Sequence, residues 1–498
     1  MFPHYPLFIN GEFKNSRLKE DVINPASGEP IASVSLAGQE EIEQALEAAR
    51  LAYDQGPWSK ISLTQRKEFI LKIAQGILDA AAELAKLETL NNGKPIKEST
   101  FMDIPSAAES FKYFANNLER FLKEEIRLIE SPITTAKSYL VPQSQGVVVL
   151  IVPWNYPLLI ASWKMAQALA AGNTVILKPS SLTPLTALEL SKIIAAAGFP
   201  KGVVNILAGR GEDIGKTLCS DERVDMISFT GSNSVGKKII EYTSQNVKKL
   251  IMELGGKSAS LILADCDIET AVNGSLCSIF LNQGQMCTAM SRIFVEDKIY
   301  DIFIKDFLEK LRRIKLGEGI NFETQMGPLI SKEQLQTVIN FVEQAKREGA
   351  QLLYGGKKPD QAALKKGFFF EPTVFTDVDS KMPIFRKEIF GPVVCIGKFS
   401  SLDQAVQLAN DSDFGLAACI WTGNKDIAQE LGRRINAGTI WINTYGMFFN
   451  EVPYGGFKQS GIGKELGKEG FWEYLKLKNI IFEETKDTKP LINYWYGF

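Results

Sequence analysis

Apolar residues recur at every third and fourth position from residue 37 to about 125, for example over 40–52 and 63–90. That period puts them on one face of a helix, so this region reads as a series of amphipathic helices. From Val147 the pattern changes. Short apolar runs at 147–152, 174–177, 203–207, 226–229 and 259–263 alternate with helical stretches such as 185–197 and 235–242. Strand-helix alternation predicts a parallel sheet with right-handed crossovers, and ligands bind such sheets beyond the carboxyl ends of the strands. A second alternating block runs from about 256 to 467, with segments at 303–314, 332–348, 393–399 and 402–410. The tail carries one more strand in Asn479-Ile480-Ile481-Phe482, then Trp495 and Tyr496. An exposed apolar strand of this kind predicts pairing with another subunit.

One stretch imitates a membrane span. No charge occurs between Lys137 and Lys164, and the stretch contains Gly146-Val147-Val148-Val149-Leu150-Ile151-Val152. Its length would suffice for a helix across a bilayer. Pro153, Asn155 and Pro157 interrupt it, and the valines favour β-structure, so it reads as a buried parallel strand that ends in a functional loop. Residues 1–13 lack the basic start and apolar centre of a secretory signal.

Composition narrows the function. The 498 residues are 45% hydrophobic and 23% charged, enough for about two or three globular domains. Lys plus Arg number 56 and Asp plus Glu 58, so there is no basic excess for nucleic acid and no dense block of one sign for a membrane surface. The single histidine, His4, rules out a His-based zinc site and a Ser-His-Asp triad. No metal is expected. Cysteines at 219, 266, 277, 287, 395 and 419 form no CxxC pair and read as reduced thiols of a cytoplasmic protein.

One of those thiols stands apart. Cys287 lies in Phe280-Leu281-Asn282-Gln283-Gly284-Gln285-Met286-Cys287-Thr288-Ala289, a polar, glycine-bearing segment between apolar ones. Inert cysteines usually sit inside apolar runs, whereas a thiol at the bottom of a cleft can serve as a nucleophile. Taken alone, the run still fits a packed thiol better.

Other segments add candidates, each with a plain alternative. In Val152-Pro153-Trp154-Asn155-Tyr156-Pro157, Asn155 is either a turn residue or a donor to a developing oxyanion. Lys178, in Lys178-Pro179-Ser180-Ser181, is either a solvated loop lysine or a ligand for ribose or phosphate. Phe229-Thr230-Gly231-Ser232, with Gly236 opening a helix, is either a glycine turn or a pyrophosphate cradle. Glu253, in Met252-Glu253-Leu254-Gly255-Gly256-Lys257, is either an exposed carboxylate or a desolvated general base. In Lys387-Glu388-Ile389-Phe390-Gly391-Pro392, Glu388 can accept from a sugar and Phe390 can pack on a flat ring; the alternative is a strand-entry turn.

The order and spacing of these segments resemble the aldehyde dehydrogenase superfamily. The resemblance extends from Phe8-Ile9-Asn10-Gly11 and Asn24-Pro25-Ala26 to Pro453-Tyr454-Gly455-Gly456 and Ser460-Gly461, essentially the whole chain. It implies an α/β fold: a Rossmann-type cofactor domain over 1–121 and 144–255, an α/β catalytic domain over 256–470, and a small β oligomerisation arm over 122–143 and 471–498. It implies that Cys287 adds to an aldehyde, that Asn155 and the Cys287 N–H hold the oxyanion, and that Glu253 activates water against the thioester. Lys164 and Glu465 match positions tied to proton transfer; a structural ion pair is the equal alternative.

The cofactor would be NADP or NAD, held by Val152, Pro153, Trp154, Lys178, Ser180, Ser181, Phe229, Thr230, Gly231, Ser232, Gly236, Leu254, Glu388 and Phe390. Many NAD-specific relatives carry Glu where this chain has Ser181, so NADP is expected to be accepted too. Positions matching the substrate tunnel are Tyr156, Trp163, Leu281, Phe448 and Tyr454, none charged. Dicarboxylic semialdehydes are disfavoured, because their enzymes usually place Arg at Trp163. Tyr156 and Trp163 resemble half of the aromatic box of betaine aldehyde dehydrogenases, which usually has Trp in place of Leu281 and Tyr454. An apolar aliphatic or aromatic aldehyde is the first expectation and a betaine or amino-aldehyde the second. The expected assembly is a homodimer or homotetramer.

Overall fold

The computed structural model describes residues 2–131, 134–486 and 491–495. Residues 132–133 of the expected arm and 487–490 and 496–498 of the tail, including Tyr496, lie outside them.

The apolar runs after Val147 become a single sheet. Its eight strands follow the order Gly461–Ile462, Lys249–Glu253, Met226–Thr230, Val147–Ile151, Thr174–Lys178, Val204–Ile206, Leu7–Ile9 and Glu12–Lys14. The five from Lys249–Glu253 to Val204–Ile206 are parallel, and the outer ones antiparallel. Every residue of Val147–Ile151 is buried, as a parallel strand covered on both faces requires. From this strand the chain moves to Thr174–Lys178 on one side and later returns at Met226–Thr230 on the other. That reversal opens a crevice beyond the carboxyl ends of Val147–Ile151 and Met226–Thr230.

The second block forms a seven-stranded sheet in the order Gln351–Tyr354, Thr373–Thr376, Val393–Phe399, Arg292–Glu296, Ala259–Ile262, Ala417–Trp421 and Thr439–Ile442. Alternation along Arg292–Glu296 divides the core. Ile293 and Val295 join the main cluster, whereas Phe294 joins one under Leu402–Asn410 and Lys425–Arg434.

Two details depart from the periodicity. The expected helix over 63–90 is two helices, Leu63–Asp79 and Ala81–Asn92, because Ala80 leaves helical geometry at φ −98°, ψ 13°. Ser99–Asp103 forms a π-turn ahead of Ile104–Asn116. Its wider turn re-aims side chains, and Phe101, Met102 and Asp103 all face the main cavity.

The uncharged stretch near Val147 divides among two strands and the helix Pro157–Ala170. Among the described residues no helix is long and apolar enough to cross a membrane. A third sheet pairs Leu475–Glu483 with Thr134–Ser144, which pairs in turn with Glu125–Ser131. Leu477, Ile480, Ile481 and Phe482 on its edge strand are exposed.

Candidate active site

A cavity of about 470 Å³ lies between the two large sheets' loops and reaches Asn155, Tyr156, Trp163, Lys164, Glu253, Leu254, Cys287, Phe448, Tyr454 and Glu465. All five expected catalytic residues therefore converge on one space. Leu281 does not reach this wall; it is half-buried and packs against the core instead.

Cys287 follows a backbone that few residues tolerate. Asn282, Gln283 and Gly284 take φ of 46°, 59° and 72°, three left-handed residues in succession. Such strain persists only where neighbours over-determine it. The Asn282 N–H donates to both oxygens of buried Glu98, at 3.2 and 3.1 Å. Gln283 accepts from the Gly327 N–H and donates to the Pro328 carbonyl, and Gln285 accepts from the Ile330 N–H. The two glutamines of this polar segment are thus moorings. Glu98 has no local motif and could not have been found from the sequence.

Asn155 follows the strand Val147–Ile151, in the loop before Pro157–Ala170. Its Nδ2 donates to the Gln285 carbonyl at 2.9 Å, and its own carbonyl accepts from Asn282 Nδ2 at 3.0 Å. The amide is thus held beside the cysteine loop with one N–H left to aim at a ligand.

Glu253 ends the strand Lys249–Glu253. It is buried, and neither carboxylate oxygen has a hydrogen-bond partner. Desolvation, then the charge of Glu465, pushes its carboxyl well above the usual carboxylate range; Lys164, Lys464 and the nearby Gly456 N–H pull the other way. Gly255 and Gly256 follow because side chains do not fit. A Cβ on Gly255 would lie 2.3 Å from Glu388 Oε2, and one on Gly256 2.2 Å from the Cys287 carbonyl.

Lys164 and Glu465 form a fully buried ion pair at 2.6 Å. Both contact Ser228, and Gln167 and Tyr474 also donate to the Glu465 carboxylate. Ser228, Gln167 and Tyr474 come from distant segments, and no sequence pattern marks them. Cys287 Sγ lies 3.6 Å from the Tyr454 hydroxyl, and the Tyr445 hydroxyl meets Thr288 Oγ1 at 3.2 Å.

The expected cofactor residues surround the crevice at the strand ends. Val152 and Pro153 continue from Val147–Ile151, and the Trp154 and Phe390 rings meet edge-on at 5.1 Å. Lys178 ends its strand buried; its Nζ reaches only the Pro179 carbonyl, at 3.2 Å, and burial lowers its pKa to about 8. Ser180 and Ser181 follow, half-buried. Phe229, Thr230 and Gly231 lead into Ser232, which caps Asn233–Thr243, and Gly236 leaves room for Leu254. Glu388 holds the Gly256 N–H at 2.9 Å, and its carboxyl is pushed up to about 7 by burial. A buried lysine with no carboxylate partner among the described residues and a capped helix start, both at carboxyl ends of one sheet, fit a dinucleotide with ribose and phosphate groups. Among the described residues no group of three or more His, Cys, Asp or Glu could hold a metal ion.

Comparison with known proteins agrees with this geometry. A model of the aldehyde dehydrogenase family matches residues 13–480. Betaine aldehyde dehydrogenase of Bacillus subtilis strain 168 is 43% identical, over 99% of each chain. A chloroplastic aminoaldehyde dehydrogenase of Arabidopsis thaliana is 39% identical, over 97% of each. Among solved structures, a point mutant of betaine aldehyde dehydrogenase from Staphylococcus aureus in complex with NAD+ superposes with TM-score 0.94, at 41% identity and 99% coverage of each chain.

Proposed function

The chain belongs to the aldehyde dehydrogenase family, and on that premise we propose that its site takes a cationic aldehyde, one bearing an amino or quaternary ammonium group. The reaction is oxidation of an aldehyde to a carboxylic acid with NAD(P).

The observation that carries the substrate class is the cavity wall. Trp163, Phe448 and Tyr454 form one ring cluster: Trp163 and Phe448 meet tilted at 5.8 Å between centroids, and Tyr454 meets them edge to face at 5.9 and 5.5 Å. Ring faces attract a cation once water is excluded. Exposed Glu109 and Glu451 also line the cavity, whereas its one lysine, Lys164, is neutralised by Glu465. Carboxylates around an apolar funnel raise the local concentration of cations. The tunnel positions expected from the sequence are uncharged and favour a neutral aldehyde; Glu109 and Glu451 lie outside that set. Relatives named for betaine aldehyde and for aminoaldehydes support the same order.

The residues divide the work as follows. Cys287 adds through sulfur to the aldehyde carbon, and the former carbonyl oxygen takes up negative charge. The free N–H of Asn155 and the Cys287 backbone N–H stabilise that oxygen. A nicotinamide cofactor held at Lys178, Ser232 and the neighbouring strand ends would supply the acceptor for the hydride that leaves the carbon bonded to Cys287. Cys287 is left as a thioester, and Glu253 takes a proton from water as the water attacks. The acid leaves and the thiol returns. A desolvated carboxylate is a stronger base than an exposed one once it has lost its proton. The network of Lys164, Glu465 and Ser228 is a store for that proton.

The cofactor and catalytic domains are assigned as 1–121 with 144–255, and 256–470. The exposed apolar strand Leu475–Glu483 supports an oligomerisation arm and a homodimer or homotetramer. All six cysteines are free, which suits the reducing cytoplasm.

The test is a panel of aldehydes matched in length, with neutral, carboxylate, amino and trimethylammonio ends. The cationic members are expected to have the highest kcat/KM, and Glu451→Gln to reduce their advantage more at low salt. Equal or better turnover of the neutral members would return the reading to an apolar aldehyde.

A further inference from the structure

The surroundings of Cys287 oppose its ionisation. Burial pushes the thiol up to about 12, and the carboxyl groups of Glu388 and Glu253 act in the same direction. No lysine or arginine offsets them at the sulfur, and the chain's one histidine, His4, bonds to Ser33 on the N-terminal sheet. Yet only a thiolate attacks a carbonyl well. Something must stabilise the negative sulfur.

Among the described residues a single side chain reaches it. The Tyr454 hydroxyl lies 3.6 Å from Sγ. Other tyrosine hydroxyls nearby are committed or turned elsewhere: Tyr445 bonds to Thr288 and Met286, and the buried Tyr156 hydroxyl has no partner. The Asn155 amide donates to the Gln285 carbonyl rather than to sulfur. Tyr454 is also held firmly. Its backbone exchanges two hydrogen bonds with Glu465, and its ring packs against Trp163 and Phe448. Burial keeps the phenol protonated, and so a donor.

We propose that Tyr454 donates a hydrogen bond to Cys287 Sγ and thereby stabilises the attacking thiolate, so that a residue of the substrate wall also activates the nucleophile. The inference rests on the assignment of Cys287 as nucleophile above. A neutral thiol is a weak acceptor and a weak donor, whereas a thiolate accepts a charge-assisted bond. The contact therefore strengthens as the S–H bond breaks. Both electrons of that bond stay on sulfur, and the proton leaves to water, because among the described residues no carboxylate lies within hydrogen-bond reach of Sγ. Once sulfur has bonded to carbon its charge is gone, so Tyr454 acts before addition and not on the thioester.

Iodoacetamide reads this without any aldehyde. Alkylation of Cys287 in the intact enzyme, located by peptide mass spectrometry, is followed against pH. Tyr454→Phe keeps the ring and removes the hydroxyl. It is expected to move the alkylation midpoint up by about one pH unit, roughly a tenfold loss of rate below it. The alkaline shift should recur in kcat/KM but not in thioester hydrolysis. Phe448→Leu loosens the same ring cluster while leaving the hydroxyl, and should not move the midpoint. An unmoved midpoint in Tyr454→Phe overturns the proposal. So does a downward shift, which would mean that the hydroxyl accepts from the thiol. An equal shift in Phe448→Leu overturns it as well, by assigning the effect to packing. Modification at another cysteine with loss of activity, Cys287 remaining untouched, would instead sink the assignment of the nucleophile.

Discussion

Tyr454 and Glu465 exchange two backbone hydrogen bonds, each 2.7 Å long. The pair joins two chemistries. Tyr454 places its hydroxyl against the Cys287 sulfur, while Glu465 sends its carboxylate to Lys164 and its charge toward Glu253. One short antiparallel bridge thus connects the group beside the proposed nucleophile with a charge felt by the proposed base. Between them Gly455 must stay bare, since a Cβ there would lie 2.8 Å from Glu253 Oε1.

Removing the nucleophile should stop turnover without unfolding the chain. Cys287→Ala is expected to lose aldehyde oxidation while still binding NAD, measured by calorimetry. Cys266→Ser and Cys277→Ser are away from the cavity and should retain activity. Substantial dehydrogenase turnover in Cys287→Ala would falsify its role.

Glu253→Gln separates the two half-reactions. A burst of reduced cofactor should be followed by slow turnover in stopped flow, because water is no longer activated. In the unaltered enzyme, Glu253 works only after losing its proton, and its pKa is raised by desolvation and Glu465. Hydrolysis of the thioester should therefore increase with pH well beyond the ordinary carboxylate range. If the burst itself disappears in Glu253→Gln, the residue is needed for acylation instead.

Glu465→Gln should show in both stability and pH dependence. It leaves the buried Lys164 ammonium without a countercharge, a loss of about 3–5 kcal/mol for a pair of this kind, read as a lower denaturant midpoint. It also removes a negative charge that raises Glu253. The rising limb of thioester hydrolysis should then move to lower pH. A destabilised enzyme with an unmoved limb would make the Lys164–Glu465 pair purely structural.

Cofactor preference should depend on Ser181 and on pH. With no carboxylate at 181 to repel a 2′-phosphate, NADP is expected to be used comparably with NAD. A preference for NAD of a hundredfold or more, roughly 2.7 kcal/mol, would exclude this. Ser181→Glu should shift the ratio toward NAD. Lys178 is charged below about 8 and neutral above it when nothing anionic is near. Its attraction for the phosphate is therefore present at low pH and weakens as pH rises through that value, so the NADP to NAD ratio of kcat/KM should fall. Lys178→Met should flatten that dependence.

Much of this protein is determined locally and can be read without coordinates. Uninterrupted β-branched runs such as Val147–Ile151 can only be buried on both faces, which specifies a parallel sheet and a crevice at its carboxyl ends. Of the residues proposed to bear the chemistry, Asn155 and Glu253 stand in short motifs at those ends and Cys287 in a polar run before the strand Arg292–Glu296, and they were legible for that reason. Tertiary structure alone decided what surrounds them. Glu98 is moored to Asn282, 184 residues away, and Lys164 to Glu465, 301 residues away. Glu98 carries no local signal, and the resemblance that marks Lys164 and Glu465 leaves their role open, because burial and charge pairing are properties of the packed chain. The same holds for the substrate wall. Leu281 occupied a matching position yet packs away from the cavity, while Glu109 and Glu451 reach it from a helix and a loop far apart in the chain. Which side chains meet a ligand is set by how the elements pack, and no period or motif within a single element records that.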